Sequence, residues 1–255
     1  MIALASVALK LNALDKDGFI SAILIGFLLV LGGGLSWLLL GTAFLIMAIP
    51  LTKLNYDKKK AISAAEKNYG ARGWRNIFAN GGVASIAAVL SGLFGGGVFA
   101  AAFVGAIATA AADTLATEVG LLSKMYPRSM TNFQKTVSPG TSGGITKLGL
   151  LASFFTALFI GILAALLNIG RENPYKFLMI GMIVGFAGSL VDSLMGATIQ
   201  RKNRCTSCSI ITEYSTHHEI ATKHESGIRC IDNNVINFFS TAIASLIAVW
   251  FFVFL

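Results

Sequence analysis

Apolar residues run along this chain in long blocks without strict alternation, and short clusters rich in glycine or charge separate them. Blocks near 20 residues with no period of two predict membrane-crossing helices rather than barrel strands. Phe19 to Leu31 forms one block, Gly32-Gly33-Gly34 interrupts it, and Leu35 to Ile49 forms the next before Pro50. Both are near the lower length for a span. Further blocks are Asn80 to Phe94, Val98 to Leu121, Ile145 to Leu167, Phe177 to Ile199 and Val235 to Leu255. Residues 1–14 are apolar but short, a half-span or an interfacial helix. The pattern predicts an all-α fold: one polytopic membrane helical bundle of about seven spans over residues 1–255.

The polar stretches fall between these blocks. Residues 52–79 carry Lys53, Lys58, Lys59, Lys60, Lys67, Arg72 and Arg75, and read as an amphipathic cytoplasmic segment. Residues 122–144 and 200–234 are the other two large polar loops. Among 20 Lys and Arg residues, Arg171 and Lys176 alone fall on the opposite side. That asymmetry orients the basic loops, and any site they build, to the cytoplasm.

Composition agrees. Hydrophobic residues make up 55% and charged residues 13%, against roughly 25% charged in a soluble domain. The net charge of +8 is accounted for by positive-inside loops and implies no nucleic-acid partner. Three cysteines make no disulfide framework. The first segment has no small-residue cleavage site, so no removable signal peptide is expected. The compact size, without a transit-like extension, points to a prokaryotic plasma membrane.

Two spans carry the same device. Gly97, Ala101, Gly105, Thr109, Asp113 and Thr117 recur every fourth position, and so, nearly, do Gly181, Gly185, Gly188, Asp192 and Gly196. Small residues at this spacing let helix backbones approach closely. Close packing accounts for the glycines but not for an aspartate in each stripe. Counted from the span ends, Asp113 and Asp192 lie at a common depth of roughly 11–12 Å, at 1.5 Å per residue. A carboxylate at membrane depth is costly and faces a bundle interior or a wet cavity. Two of them want a cation: Mg²⁺ shared with substrate phosphates, or a transported ion or proton.

Lys135-Thr136-Val137-Ser138-Pro139-Gly140-Thr141-Ser142-Gly143-Gly144 leads into the span from Ile145. Glycines allow close backbone approach, hydroxyls donate, and the following helix offers free N–H groups to an anion. The Walker A spacing is absent. An ordinary juxtamembrane turn is the alternative.

These strings carry a resemblance. Ala112 to Gly120 (ADTLATEVG), Lys135 to Thr146, Arg72 to Gly82 (RGWRNIFANGG), Asp192 to Gln200 (DSLMGATIQ) and Asn233 to Phe238 (NNVINF) resemble the integral membrane family that includes the plant phytyl-phosphate kinase. The likeness covers nearly the whole chain. That family is more distantly similar to CTP-using dolichol kinases and phosphatidate cytidylyltransferases. The resemblance implies Mg²⁺-dependent phosphoryl transfer from a nucleoside triphosphate, CTP by likeness, to an isoprenyl monophosphate. Asp113 and Asp192 would hold the metal, with Glu118 as a ligand or water-orienting group. Ser138, Gly140, Thr141, Ser142, Gly143 and Gly144 would cradle nucleotide phosphates. Lys135, Arg72 and Arg75 are candidates for the acceptor phosphate, Lys135 also as a catalytic group. Asn80, Asn234 and Asn237 complete the site or cap helices.

Residues 200–234 also hold Cys205-x-x-Cys208, His217-His218, His224 and Cys230. Cys-x-x-Cys with nearby His is a zinc half-site or a reduced pair in an exposed loop. The candidate structural Zn²⁺ ligands are Cys205, Cys208, His217 and His218, although His218 stands where the resemblance leads one to expect cysteine. The expected partners are therefore the bilayer, an isoprenyl-phosphate lipid and a nucleotide, with a homodimer open. A CDP-lipid synthase and an ion-coupled transporter are the alternatives.

Overall fold

The computed structural model describes residues 1–61, 68–217 and 219–254. Lys67 and His218 lie outside the described residues. Among the described residues, ten α-helices follow in order: α1 (Ile2–Lys10), α2 (Lys16–Gly33), α3 (Leu35–Lys53), α4 (Tyr56–Ala61), α5 (Trp74–Phe94), α6 (Gly97–Gly120), α7 (Lys147–Leu166), α8 (Pro174–Met179), α9 (Gly185–Thr198) and α10 (Asn233–Phe254). A π turn, Ile180–Val184, joins α8 to α9 into one 25-residue span. Seven spans among the described residues are long and apolar enough to cross a membrane. The fold is the expected all-α polytopic bundle. Helix α1 has nine residues and is no span; it folds back so that Met1 packs near Gly26 of α2.

Helix α6 is the axis. It packs against α3, α5, α7, α9 and α10, and it is buried almost without a break from Ala100 to Ala112. Its run of Ala and Gly explains this: short side chains let many neighbours come close, and dispersion over those contacts replaces the hydrophobic effect that lipid cannot supply. Around it pack larger groups, including Trp37 of α3 stacked on Phe103 at 4.2 Å between ring centroids. The other helices present exposed Leu, Ile and Phe on their outer faces, as lipid contact requires.

Among the described residues, all cations but Arg171 and Lys176 gather at one end of the bundle, the basic face. The polar stretches there differ from the loops expected. Residues 52–79 split: Thr52 and Lys53 end α3, α4 follows, and Trp74 to Ala79 already belong to α5. The aromatic Trp74 and long Arg75 side chain suit an interfacial helix start, so Asn80 sits inside that helix. Residues 122–144 contain β1 (Arg128–Ser129) and β2 (Asn132–Thr136), which form an antiparallel sheet with β3 (Gly144–Ile145), in the order β2-β1-β3. Residues 200–234 contain β4 (Lys202–Cys205), β5 (Ile211–Thr212), β6 (Thr216–His217) and β7 (Ile220–Ser226), in the order β5-β4-β7-β6. Strand β2 is exposed throughout, so no hydrophobic alternation announces it. Pairing the backbone of these long connectors satisfies donors and acceptors that would otherwise depend on water.

Candidate active site

Helices α6 and α9 both run toward the basic face. A Cβ on Gly188 would lie 2.1 Å from Thr109 Oγ1, so only glycine permits this crossing. One helical turn further along each helix stand Asp113 and Asp192. Their carboxyls come within hydrogen-bonding reach of each other. Asp192 is buried and accepts a hydrogen bond from Ser240 Oγ of α10 at 2.8 Å. Two carboxylates in contact repel, and a shared cation relieves that repulsion.

The pair lines a polar cavity of about 220 Å³ that opens toward the basic face. The segment Gly140 to Thr146 forms part of its wall. Ser138-Pro139-Gly140-Thr141 is a turn closed by Thr141 N–H donating to the Ser138 carbonyl at 3.1 Å. Proline presets its second residue, and Gly140 supplies the required positive φ of 80° in its third. Gly143 also has positive φ, 74°, and a Cβ there would fall 2.3 Å from the Ala197 nitrogen. The loop therefore lies directly on the end of α9, one turn beyond Asp192. Thr146 then caps α7, accepting from Gly149 N–H at 3.0 Å. Two oxygens in the cavity wall, Thr141 Oγ1 and Asn237 Oδ1, are buried and make no hydrogen bond. An unpaired buried polar atom is costly, so both are available to a bound group.

Arg72 and Lys202 bring positive charge to the wall. Lys202 donates to the Ala197 carbonyl at 2.7 Å; burial first, then the charge of Lys135, holds its ammonium below the ordinary value. Glu118 lines the same cavity but is not a free carboxylate. It forms a buried ion pair with Lys59 of α4, which also donates to the Leu51 carbonyl at 2.7 Å. Glu213, largely buried, accepts from Asn233 N–H at 2.8 Å and Gln200 Nε2 at 3.0 Å. Burial raises its carboxyl above the ordinary value.

Of the sequence candidates, Asp113, Asp192, Glu118, Arg72, Gly140, Thr141, Ser142, Gly143, Gly144 and Asn237 converge on this cavity. Five do not line it. Lys135 is exposed on β2, and Ser138 is exposed in the preceding turn. Arg75 points away to Asp232, at 2.8 Å. Asn80 is buried one turn from Asn76, whose carbonyl it meets at 2.9 Å, and Asn234 opens α10 outside the wall. Sequence reasoning missed Lys59, Asn76, Lys202, Glu213 and Ser240. Asn76 was within its reach, because it lies in the string Arg72 to Gly82; the others are brought in by tertiary contacts.

Beside the cavity, the ligand atoms of Cys205, Cys208 and His217 lie within 4.8 Å of one another. Cys208 Sγ is 3.5 Å from His217 Nδ1. The Cys208 backbone N–H, then the His217 side chain, draw the Cys205 thiol down to about 6. A thiolate at neutral pH, with a second sulfur and an imidazole, is a donor set suited to zinc.

The chain has relatives among known proteins. The family model described as integral membrane protein DUF92 matches residues 1–245. An uncharacterised membrane protein of Methanocaldococcus jannaschii is 35% identical, covering 78% of this chain and 80% of its own. Protein PGR of Arabidopsis thaliana is 30% identical, covering 93% of this chain and 88% of its own. An uncharacterised membrane protein of Synechocystis sp. is 28% identical over 79% of this chain and 78% of its own. No solved structure matches.

Proposed function

The chain belongs to the DUF92 integral membrane family, and on that premise we propose that it is a phosphotransferase acting at the membrane surface: it moves the γ-phosphoryl group of a nucleoside triphosphate, CTP by resemblance, to an isoprenyl monophosphate. The observation that carries this reading is the paired Asp113 and Asp192 beneath the Gly140–Gly144 loop, with Arg72 and Lys202 in the same wall. The basic face is read as cytoplasmic, where nucleotide is available.

The donor set fits Mg²⁺: two carboxylates in contact and an unpaired amide oxygen on Asn237, all oxygen and near the phosphate wall. Asp113 and Asp192 would hold the ion, which supplies neutralisation of the phosphate charge. Arg72, with Asn76 beside it at 3.4 Å, binds and orients the acceptor phosphate. Lys202 and the hydroxyl of Thr141 bind the nucleotide phosphates. An oxygen of the acceptor phosphate forms the new bond to the γ-phosphorus, the bond from that phosphorus to the β-γ bridging oxygen breaks, and the nucleoside diphosphate leaves. The residues mostly position and neutralise two anions that repel each other. Lys59 holds Glu118 in place, which assigns Glu118 to shaping the cavity. Cys205, Cys208 and His217 would hold a structural zinc that ties β4, β6 and the intervening turn beside the site.

The test is purified protein in detergent with Mg²⁺, farnesyl or geranylgeranyl monophosphate and each nucleotide in turn, followed by mass spectrometry of the lipid and nucleotide. Isoprenyl diphosphate with an equal amount of nucleoside diphosphate is expected, and Asp113→Asn or Asp192→Asn abolishes it while the protein elutes unchanged on gel filtration. Release of pyrophosphate with a CDP-lipid would replace the kinase by a cytidylyltransferase. Full turnover in either variant would refute the metal assignment.

A further inference from the structure

A second cavity, of about 90 Å³, adjoins the polar one and is almost wholly apolar. Its floor is made by buried side chains of Leu29, Phe44 and Ile107. Its rim includes Leu38, Thr42 and Leu45, which are half-exposed on the lipid-facing side of the bundle. Two residues, Arg72 and Asn76, line both cavities. Arg72 is held there by its backbone: its N–H donates to the Ala13 carbonyl at 2.9 Å, and its carbonyl accepts from Asp15 N–H at 3.2 Å. Its guanidinium lies 5.7 Å from the centre of the Phe44 ring, over the apolar floor.

A cation at the junction of a polar and an apolar cavity matches an amphiphile with an anionic head. We propose that the groove between α2, α3 and α5 holds the hydrocarbon tail of the isoprenyl monophosphate, with Arg72 and Asn76 at its phosphate end; this rests on the acceptor reading above. The polar cavity then faces the phosphate and the groove faces the tail, so one bound orientation presents the reacting oxygen to Asp113 and Asp192. The open rim allows entry sideways from the bilayer.

The groove also has a length. The α2 residues that line it run from Ala22 to Leu29, a rise of roughly 10 Å at 1.5 Å per residue. An extended chain advances about 1.2 Å per bond, judged from about 3.5 Å per three-bond peptide unit, so roughly 9 bonds fit. With four chain bonds per isoprene repeat, about two repeats lie in the groove. Longer tails extend through the rim into lipid.

The probe is farnesyl monophosphate carrying a diazirine at the tail end, photolysed with the purified protein in nanodiscs and mapped by peptide mass spectrometry. Labelling is expected in α2 around Leu29 and in α3 around Leu38 to Thr42, and unlabelled farnesyl monophosphate in excess should suppress it at least fivefold. Ala22→Phe, which fills the groove, should lower that labelling about tenfold and raise KM for the lipid without changing KM for the nucleotide. Labelling confined to α7, α9 or α10, or labelling that excess ligand does not suppress, would overturn the proposal. The two readings fail separately. Suppressible groove labelling with no diphosphate from any nucleotide would overturn the kinase and keep the groove. Diphosphate formation with label elsewhere would overturn the groove and keep the kinase.

Discussion

Lys59→Met should destabilise the protein far more than an exposed charge deletion would. Lys59 and Glu118 have side chains only 3% and 8% exposed. Removing one member of a buried pair strands the other charge, at a cost of about 3–5 kcal/mol. At about 2–4 °C per kcal/mol for a chain of this size, the apparent unfolding temperature falls on the order of 10 °C. The structure also predicts an asymmetry. In Glu118→Gln the lysine ammonium keeps the Leu51 carbonyl at 2.7 Å, so that variant loses less. The double variant Lys59→Met/Glu118→Gln should recover most of the loss, because a neutral pair leaves no stranded charge. The assay is the fraction surviving gel filtration after heating in detergent, for all four proteins, with the coupling read as a double-mutant cycle. A Lys59→Met shift under 2 °C, or strictly additive single effects, would refute the buried-pair account. Turnover measured in parallel tests the role of Glu118: as a shaping residue, its Gln variant keeps activity that Asp192→Asn loses.

Gly143→Ala should cut turnover more than tenfold while leaving assembly intact. Its positive φ costs about 1–2 kcal/mol for alanine, and the new Cβ would overlap the Ala197 backbone, lifting the loop from the acids; wild-type turnover would count against that loop's placement. Glu213 carries a pH signature. Its carboxyl is raised by burial, so the folded state binds its proton more tightly than the unfolded chain, and that contribution to stability is present at low pH and lost as pH rises through the raised value. Glu213→Gln should therefore gain heat stability relative to wild type near pH 7 and lose that advantage toward pH 4.5; an equal difference at both pH values would contradict it. Zinc measured by mass spectrometry should be near one per chain and fall to background in Cys208→Ala; a metal-free wild-type protein purified without chelator would remove zinc from the Cys205 cluster.

The spans were legible because lipid imposes a simple rule: every backbone group in the hydrocarbon must pair within its own helix, so long apolar blocks can be little else. The charge asymmetry that sets Arg171 and Lys176 apart from the other cations was legible for the same reason. So was the pairing of Asp113 with Asp192, since two stripes of fourth-position small residues place the acids at one depth on helices running the same way. The Cys205, Cys208 and His217 cluster could be named from spacing, though not its closure through β4 and β6. What stayed hidden depends on contacts between distant segments. Nothing in Lys59 marks it as the partner of Glu118, and Lys202 and Glu213 reach the cavity, and Ser240 reaches Asp192, only because their elements fold against α6 and α9. Lys135 and Ser138 have the right chemistry in the right string, yet a short hairpin turns them outward. The sequence by itself determined which segments cross the membrane and which carry charge, because burial in lipid is a property of each segment alone. The tertiary structure decided which polar groups share a cavity, because that depends on how closely glycine and alanine let α6 and its neighbours approach.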